Sequence, residues 1–156
     1  MQTAFITGTS SGLGLGLAQY LSARHWAVYG CSRRGCPLSG VQDRICDLTD
    51  AEAIPEVLQD LLADLPALDL VVLNAGMLGE IKQLTQTPLS ELKQVMEINV
   101  WANKSVMDWL HAWGRPIDQI IMISSGAAVL GNKGWAGYAL SKASLNMLAK
   151  LYAHEF

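Results

Sequence analysis

Thr3-Ala4-Phe5-Ile6-Thr7-Gly8-Thr9-Ser10-Ser11-Gly12-Leu13-Gly14 decides how this chain folds. Its first five residues are an apolar run stopped by glycine, which predicts a buried strand over 3–7. Glycines follow at 8, 12 and 14, and behind them Leu13, Leu17, Ala18 and Leu21 recur at helical spacing, so they are expected to face inward. Strand, glycine-rich turn and helix in that order make a phosphate-binding opening. The glycines let the backbone approach a pyrophosphate, and the unpaired N–H groups of the helix start favour its charge.

Further strands follow at intervals. Residues 26–31 (WAVYGC) predict the second, and its end carries Ser32-Arg33-Arg34. Dinucleotide folds that prefer NAD place an acid there to accept from the ribose 2′-hydroxyl, whereas arginine accommodates a 2′-phosphate. A small neutral residue followed by two guanidiniums therefore favours NADP(H). The link 33–43 is too short for a full crossover helix, so a turn or a short helical piece is expected there before a brief strand at 44–46. Asp47-Leu48-Thr49-Asp50 ends it and can cap a helix over 51–65, where Pro55 is tolerable near the start. Residues 68–73 (LDLVVL) predict a buried strand closing on Asn74-Ala75-Gly76. A helix over 88–113 is expected, with Thr87 as N-cap and Gly114-Arg115-Pro116 at its end. Within it Asn99 lies in an apolar stretch, where a buried amide needs partners. Residues 117–123 predict a fifth strand, and a last helix runs from about Tyr138.

Strands alternating with helices predict a parallel, doubly wound α/β sheet. Gly8, Arg33, Asp47, Asn74 and Ser125 all fall at the C-terminal ends of those strands, the edge at which such sheets bind ligands. At 156 residues the chain is read as one dinucleotide-binding domain, 1–156. Its net charge of −3 and lack of a basic block argue against a nucleic-acid surface. The longest apolar runs fall far short of the roughly 20 residues that span a bilayer, and the N-terminus lacks a basic n-region. A cytoplasmic protein is the expectation. Cys31, Cys36 and Cys46 have neither disulfide nor metal-ligand spacing and read as reduced, partly buried thiols. His25, His111 and His154 likewise have no metal spacing, so no metal is expected. Trp101, Trp109 and Trp113 lie close to one helical stripe, read first as core packing and otherwise as a subunit interface.

Near the C-terminus, Tyr138 and Lys142 stand four residues apart in a helical segment, so phenol and ammonium share one face. Ser125, across a glycine-containing loop, can bring a third polar group to the same place. Such a trio suits proton transfer, because a fixed ammonium stabilises the phenolate left when the phenol gives up its proton.

With these residues assembled, the chain resembles the short-chain dehydrogenase/reductase family over nearly its whole length. Thr7-Gly8-x-x-x-Gly12-x-Gly14 looks like the family's cofactor loop, which implies cofactor contacts for Gly8, Ser10, Ser11, Gly12, Leu13 and Gly14. Asn74-Ala75-Gly76 looks like its N-A-G motif, and Asn99, Ser125, Tyr138 and Lys142 look like its catalytic tetrad. The resemblance implies a Rossmann-like sheet of order 3-2-1-4-5. It implies that Tyr138 protonates a carbonyl oxygen as hydride arrives, and that Ser125 holds that oxygen. Lys142 then binds the nicotinamide ribose and assists Tyr138, and Asn99 anchors a water of the proton relay. NADP(H) contacts are implied for Ser32, Arg33 and Arg34, for Asp47 and Leu48 at the adenine, and for Asn74, Ala75, Gly76, Tyr138 and Lys142. The implied substrate is a small carbonyl compound or alcohol, and the implied state is a homo-oligomer, a dimer or tetramer, formed through the helices after the fourth and fifth strands. The Gly-Trp-x-x-Tyr-x-x-Ser-Lys neighbourhood points to carbonyl reductases of the C-factor or sniffer type.

Family members continue past this point into a sixth and a seventh strand. Without them, apolar side chains of LDLVVL and QIIMI are expected to be exposed. Three readings stay open: the N-terminal part of a longer reductase, a natural short form that repairs its edge by association, and a non-catalytic dinucleotide-binding or interaction protein.

Overall fold

Apolar runs bounded by glycine, proline and charged residues become the strands of a parallel sheet. A computed structural model describes residues 1–156. The strands are β1 (Thr3–Thr7), β2 (Ala27–Ser32), β3 (Val41–Ile45), β4 (Leu68–Leu73) and β5 (Ile117–Met122). Their order is β3-β2-β1-β4-β5 and every neighbouring pair is parallel, the Rossmann-like arrangement expected. The chain divides into two compact units, Met1–Ala75 with Asp108–Ile123, and Gly76–Met107 with Ser124–Phe156.

The first unit holds the sheet together with helices α1 (Gly12–Ser22) and α2 (Ala53–Leu62). Ala4 and Ile6 of β1, Val28 of β2, Val72 of β4 and Ala18 and Leu21 of α1 form one core cluster, against which Leu17 and Leu70 pack. Burial of a side chain such as Ile6 contributes about 1.5–3 kcal/mol. Leu13, expected inward, is exposed instead. Gly14 takes the inward position, because the backbone of the turn approaches α1 too closely for a larger residue there. The 33–40 link makes turns and contains neither a crossover helix nor a short helical piece. β3 begins at Val41, earlier than its apolar pattern suggests, because its backbone pairs with β2 from Val28 onward. Asp50 of the 47–50 segment accepts the N–H groups of Glu52 and Ala53 on Oδ1 in the turn that leads into α2, whose N-cap residue Glu52 makes no side-chain capping bond. Cys31 and Cys46 are buried free thiols close enough to affect each other's ionisation. The neighbouring Cys46, then burial, pushes the Cys31 thiol up, whereas Cys31 lowers Cys46.

Exposure of the last strands follows the expectation only for β5, which has no fully buried residue. In β4, Leu68, Val71, Val72 and Leu73 are buried, Val72 against Ala18 and Leu21 of α1. The tryptophans are not core residues either. Trp109 and Trp113 are half-buried and stack on each other at 5.9 Å between ring centroids, and Trp101 is exposed.

The second unit is helical: α3 (Leu89–Met96), a π-helical turn (Glu97–Trp101), the start of α4 (Ala102–Trp113), the short α5 (Ala127–Leu130) and α6 (Ala136–Tyr152). The single helix expected over 88–113 is thus interrupted at Asn99. Pro88, not Thr87, is its N-cap residue, because the Thr87 hydroxyl donates to the Gln83 carbonyl of the preceding turn. No helix is long and apolar enough to cross a membrane.

Candidate functional site

In the first unit, the turn after β1 is shaped by what it must approach. Gly8 has φ +79°, a conformation open to glycine. A Cβ on Gly14 would collide with the Gly8 carbonyl oxygen and stand 2.5 Å from Asn74 Nδ2. The turn is closed from β4: Asn74 Nδ2 donates to the carbonyls of Thr7 (3.1 Å) and Gly8 (3.3 Å). Thr7, fully buried, accepts the N–H groups of Asn74 (3.0 Å) and Ala75 (3.1 Å) on its hydroxyl. This use of Thr7 is a lock that the sequence reading did not identify. Ser11 precedes α1 with extended backbone (φ −162°) and makes no side-chain capping bond, so the first N–H groups of α1 stay directed at the turn.

At the end of β2, Ser32 is buried and its hydroxyl accepts the Gly35 N–H (3.1 Å), closing a tight turn. Arg33 and Arg34 stand exposed on that turn, and Arg34 Nη2 reaches the Ser11 hydroxyl at 3.5 Å. Asp47 is exposed, and the Thr49 N–H and hydroxyl, with Arg33 adding to them, hold its carboxyl below the usual range. Leu48 is buried. These residues offer a glycine cradle that a Cβ would fill, an uncapped helix start and two guanidiniums, a donor set that fits a phosphorylated dinucleotide.

All four tetrad residues fall in the second unit. Asn99 is fully buried in the π-helical turn. Its Oδ1 accepts the Met77 N–H (2.8 Å), and its Nδ2 donates to the Met77 carbonyl (2.9 Å) and the Ser141 hydroxyl (2.9 Å). The amide thereby fastens the segment after Gly76 to α6. Ser141 in turn donates to the Tyr138 carbonyl (2.8 Å), so the chain of bonds ends on the backbone of Tyr138 itself.

Tyr138 is half-buried on the first turn of α6, its ring 5.9 Å from that of Trp135. Lys142, one turn on, places Nζ 5.5 Å from the Tyr138 ring centroid. Only 4% of Lys142 is exposed, and this burial lowers its amine below the ordinary lysine value. Ser125 is half-buried and its hydroxyl accepts the Ala127 N–H (3.1 Å) at the start of α5.

Two supports here carry no sequence signal. The Ser124 hydroxyl donates to Asn146 Oδ1, which ties the segment carrying Ser125 to α6. Lys82 Nζ pairs with Glu91 of α3 at 2.6 Å, while the Lys82 N–H donates to the Gly134 carbonyl (3.0 Å), just before Trp135. Lys82, with the Glu80 N–H, holds the Glu91 carboxyl below its usual range. No group of three or more His, Cys, Asp or Glu side chains is placed to hold a metal ion.

Residues 2–156 match the profile of a family described as short chain dehydrogenase. Benzil reductase ((S)-benzoin forming) IRC24 of Saccharomyces cerevisiae is 29% identical over 96% of this chain and 64% of its own length. A 1-deoxy-11-beta-hydroxypentalenate dehydrogenase of Streptomyces exfoliatus is 32% identical over 90% of this chain and 57% of its own. The chain therefore spans less than two thirds of these relatives. A short-chain dehydrogenase/reductase of Burkholderia multivorans solved with bound NADP superposes with a TM-score of 0.85 at 22% identity, over 99% of this chain and 73% of that one.

Proposed function

The chain belongs to the short chain dehydrogenase family, and from that premise we propose that it is an NADP(H)-dependent oxidoreductase that reduces a ketone or aldehyde to an alcohol. One observation carries the proposal: Lys142 Nζ stands 5.5 Å from the Tyr138 ring, one turn away on the same helix. The Tyr138 hydroxyl is the proton donor to the carbonyl oxygen, and the Lys142 ammonium stabilises the phenolate that remains. Ser125 donates its hydroxyl hydrogen to the same oxygen, which its present bond leaves free, since there it acts only as acceptor to Ala127. Asn99 positions Tyr138 through Ser141. The hydride that adds to the carbonyl carbon is the chemistry a bound nicotinamide dinucleotide supplies.

Gly8, Ser10, Ser11, Gly12, Leu13 and Gly14 cradle the pyrophosphate, and Asp47 and Leu48 meet the adenine. Arg33 and Arg34 take the 2′-phosphate, for which the small Ser32 leaves room. Asn74 and Ala75 hold the turn that faces the nucleotide, and Gly76 follows them as a further cofactor contact. The partner in the assembly is a second copy of the chain. A groove on α3 and the π-helical turn, lined by Leu89, Leu92, Met96 and Trp101 with Lys93 and Glu97, supports that reading.

Turnover of NADPH with a panel of aryl and alkyl ketones and aldehydes, followed at the nicotinamide absorbance, tests the reaction. Tyr138→Phe is expected to lower kcat by about 10²–10⁴-fold, and a wild-type rate from that variant would overturn the assignment. Fluorescence titration is expected to give tighter binding of NADPH than of NADH, with Arg33→Ala removing much of the difference.

A further inference from the structure

One carboxylate joins the glycine turn to the arginine turn. Asp43 lies in β3 opposite Gly30 of β2, which lies opposite Ile6 of β1. Its Oδ1 accepts the hydroxyl of Thr9, a fully buried residue of the glycine turn, at 2.5 Å. Its Oδ2 accepts the Cys36 N–H at 2.9 Å. The bond to Thr9 spans β2, and it does so at a glycine. A Cβ on Gly30 would stand 2.6 Å from Thr9 Cγ2 and 2.8 Å from Asp43 Oδ1, closer than real Cβ contacts come. The missing side chain at Gly30 lets groups from either side of β2 meet across it.

The consequence falls on residues 32–36. Their turn is tied at one end by the Ser32 hydroxyl to the Gly35 N–H, and at the other by Asp43 to Cys36. Arg33 and Arg34 stand exposed between those ties. Two guanidiniums grip a phosphate dianion more tightly when the backbone carrying them is ordered before the ligand arrives, because less freedom is lost on binding. We infer that Asp43 is a positioning residue for the adenosine 2′-phosphate: through Thr9 and Cys36 it sets the arginine turn against the glycine turn. The inference rests on the NADP(H) reading above and adds to it the group that makes the arginines selective.

The experiment is fluorescence titration of NADPH and NADH into the wild-type protein and into Asp43→Ala and Asp43→Asn, with thermal melts alongside. Asp43→Ala is expected to weaken NADPH about tenfold, the equivalent of roughly one net hydrogen bond, and NADH by less than about threefold. Asp43→Asn, nearly isosteric, keeps one of the two acceptors and gives an intermediate loss; it decides the matter should the alanine variant not fold. The ratio of the two affinities is the readout, since general destabilisation weakens both cofactors alike. A ratio unchanged from wild type in both variants overturns the inference, as does an equal loss for both cofactors. Tighter NADPH binding by Asp43→Asn also overturns it, because the charge of Asp43 and not its hydrogen bonds would then matter. If the wild-type protein itself shows no preference for NADPH, the NADP(H) reading and this inference fall together. A retained wild-type preference with indifferent Asp43 variants removes this inference alone.

Discussion

Replacing Asn99 by alanine removes three hydrogen bonds in one step, and their burial sets roughly what each is worth. The two bonds to Met77 tie down backbone that is only half-buried, so water can replace them in part and each contributes about 1 kcal/mol. The bond to Ser141 is fully buried, and its loss costs about 1–2 kcal/mol, limited because Ser141 still donates to Tyr138. The space left at a position with no solvent exposure adds about 1 kcal/mol. The whole is about 4 kcal/mol, a large share of the roughly 5–15 kcal/mol that holds a domain folded. Urea denaturation followed by far-UV circular dichroism should show it as a midpoint lowered by about 2 M at a slope near 2 kcal/mol per molar. A loss below about 1 kcal/mol would refute the view that Asn99 is the fastening between the Met77 segment and α6. Asn99→Asp sharpens the comparison. It keeps the volume and the acceptor for the Met77 N–H but turns two donors into an acceptor facing the Met77 carbonyl. At neutral pH it should be at least as unstable as the alanine variant, and it should recover in part on acidification, when the carboxyl can again donate.

Gly14→Ala places a Cβ against the Gly8 carbonyl and 2.5 Å from Asn74 Nδ2, so the turn must shift. We expect a cost of about 1–3 kcal/mol and at least about tenfold weaker NADPH binding; unchanged melting and unchanged titration would count against the cradle. The Asp69 carboxyl lies below its ordinary value of 3.8 because the Thr3 N–H and hydroxyl donate to it. A depressed carboxyl contributes stability that is full above 3.8 and is lost as pH falls through the folded value. The stability gap between wild type and Asp69→Asn should therefore be present at neutral pH and close below 3.8, and a gap independent of pH would refute the linkage.

Most differences between expectation and structure trace to a specific contact, often one distant in sequence. The pattern of Leu13, Leu17, Ala18 and Leu21 is helical, yet which of them faces inward depends on how near Gly8 and Asn74 come to Gly14. Residues 88–113 read as one helix by period, and no local feature marks the π-helical turn. What distinguishes Asn99 is its set of partners 22 and 42 residues away. Thr87 has the chemistry of a cap, but the neighbouring Gln83 carbonyl takes its hydroxyl. The tryptophans share a helical stripe at half-buried and exposed positions, which composition does not distinguish from core.

By itself the sequence determined five strands alternating with helices in a parallel sheet, the glycine turn and the spacing of Tyr138 and Lys142, while the strand order came from the family resemblance. The features read from the residues depend on short-range rules, period and turn chemistry. Only the tertiary structure decided that Thr7 locks the turn to Asn74 at a separation of 67 residues, and that Thr9 meets Asp43 across Gly30 at 34. It also decided that Lys142 is buried beside Tyr138. Such pairings join residues whose identities constrain one another only after the sheet has brought them together, so no stretch of the chain carries them alone.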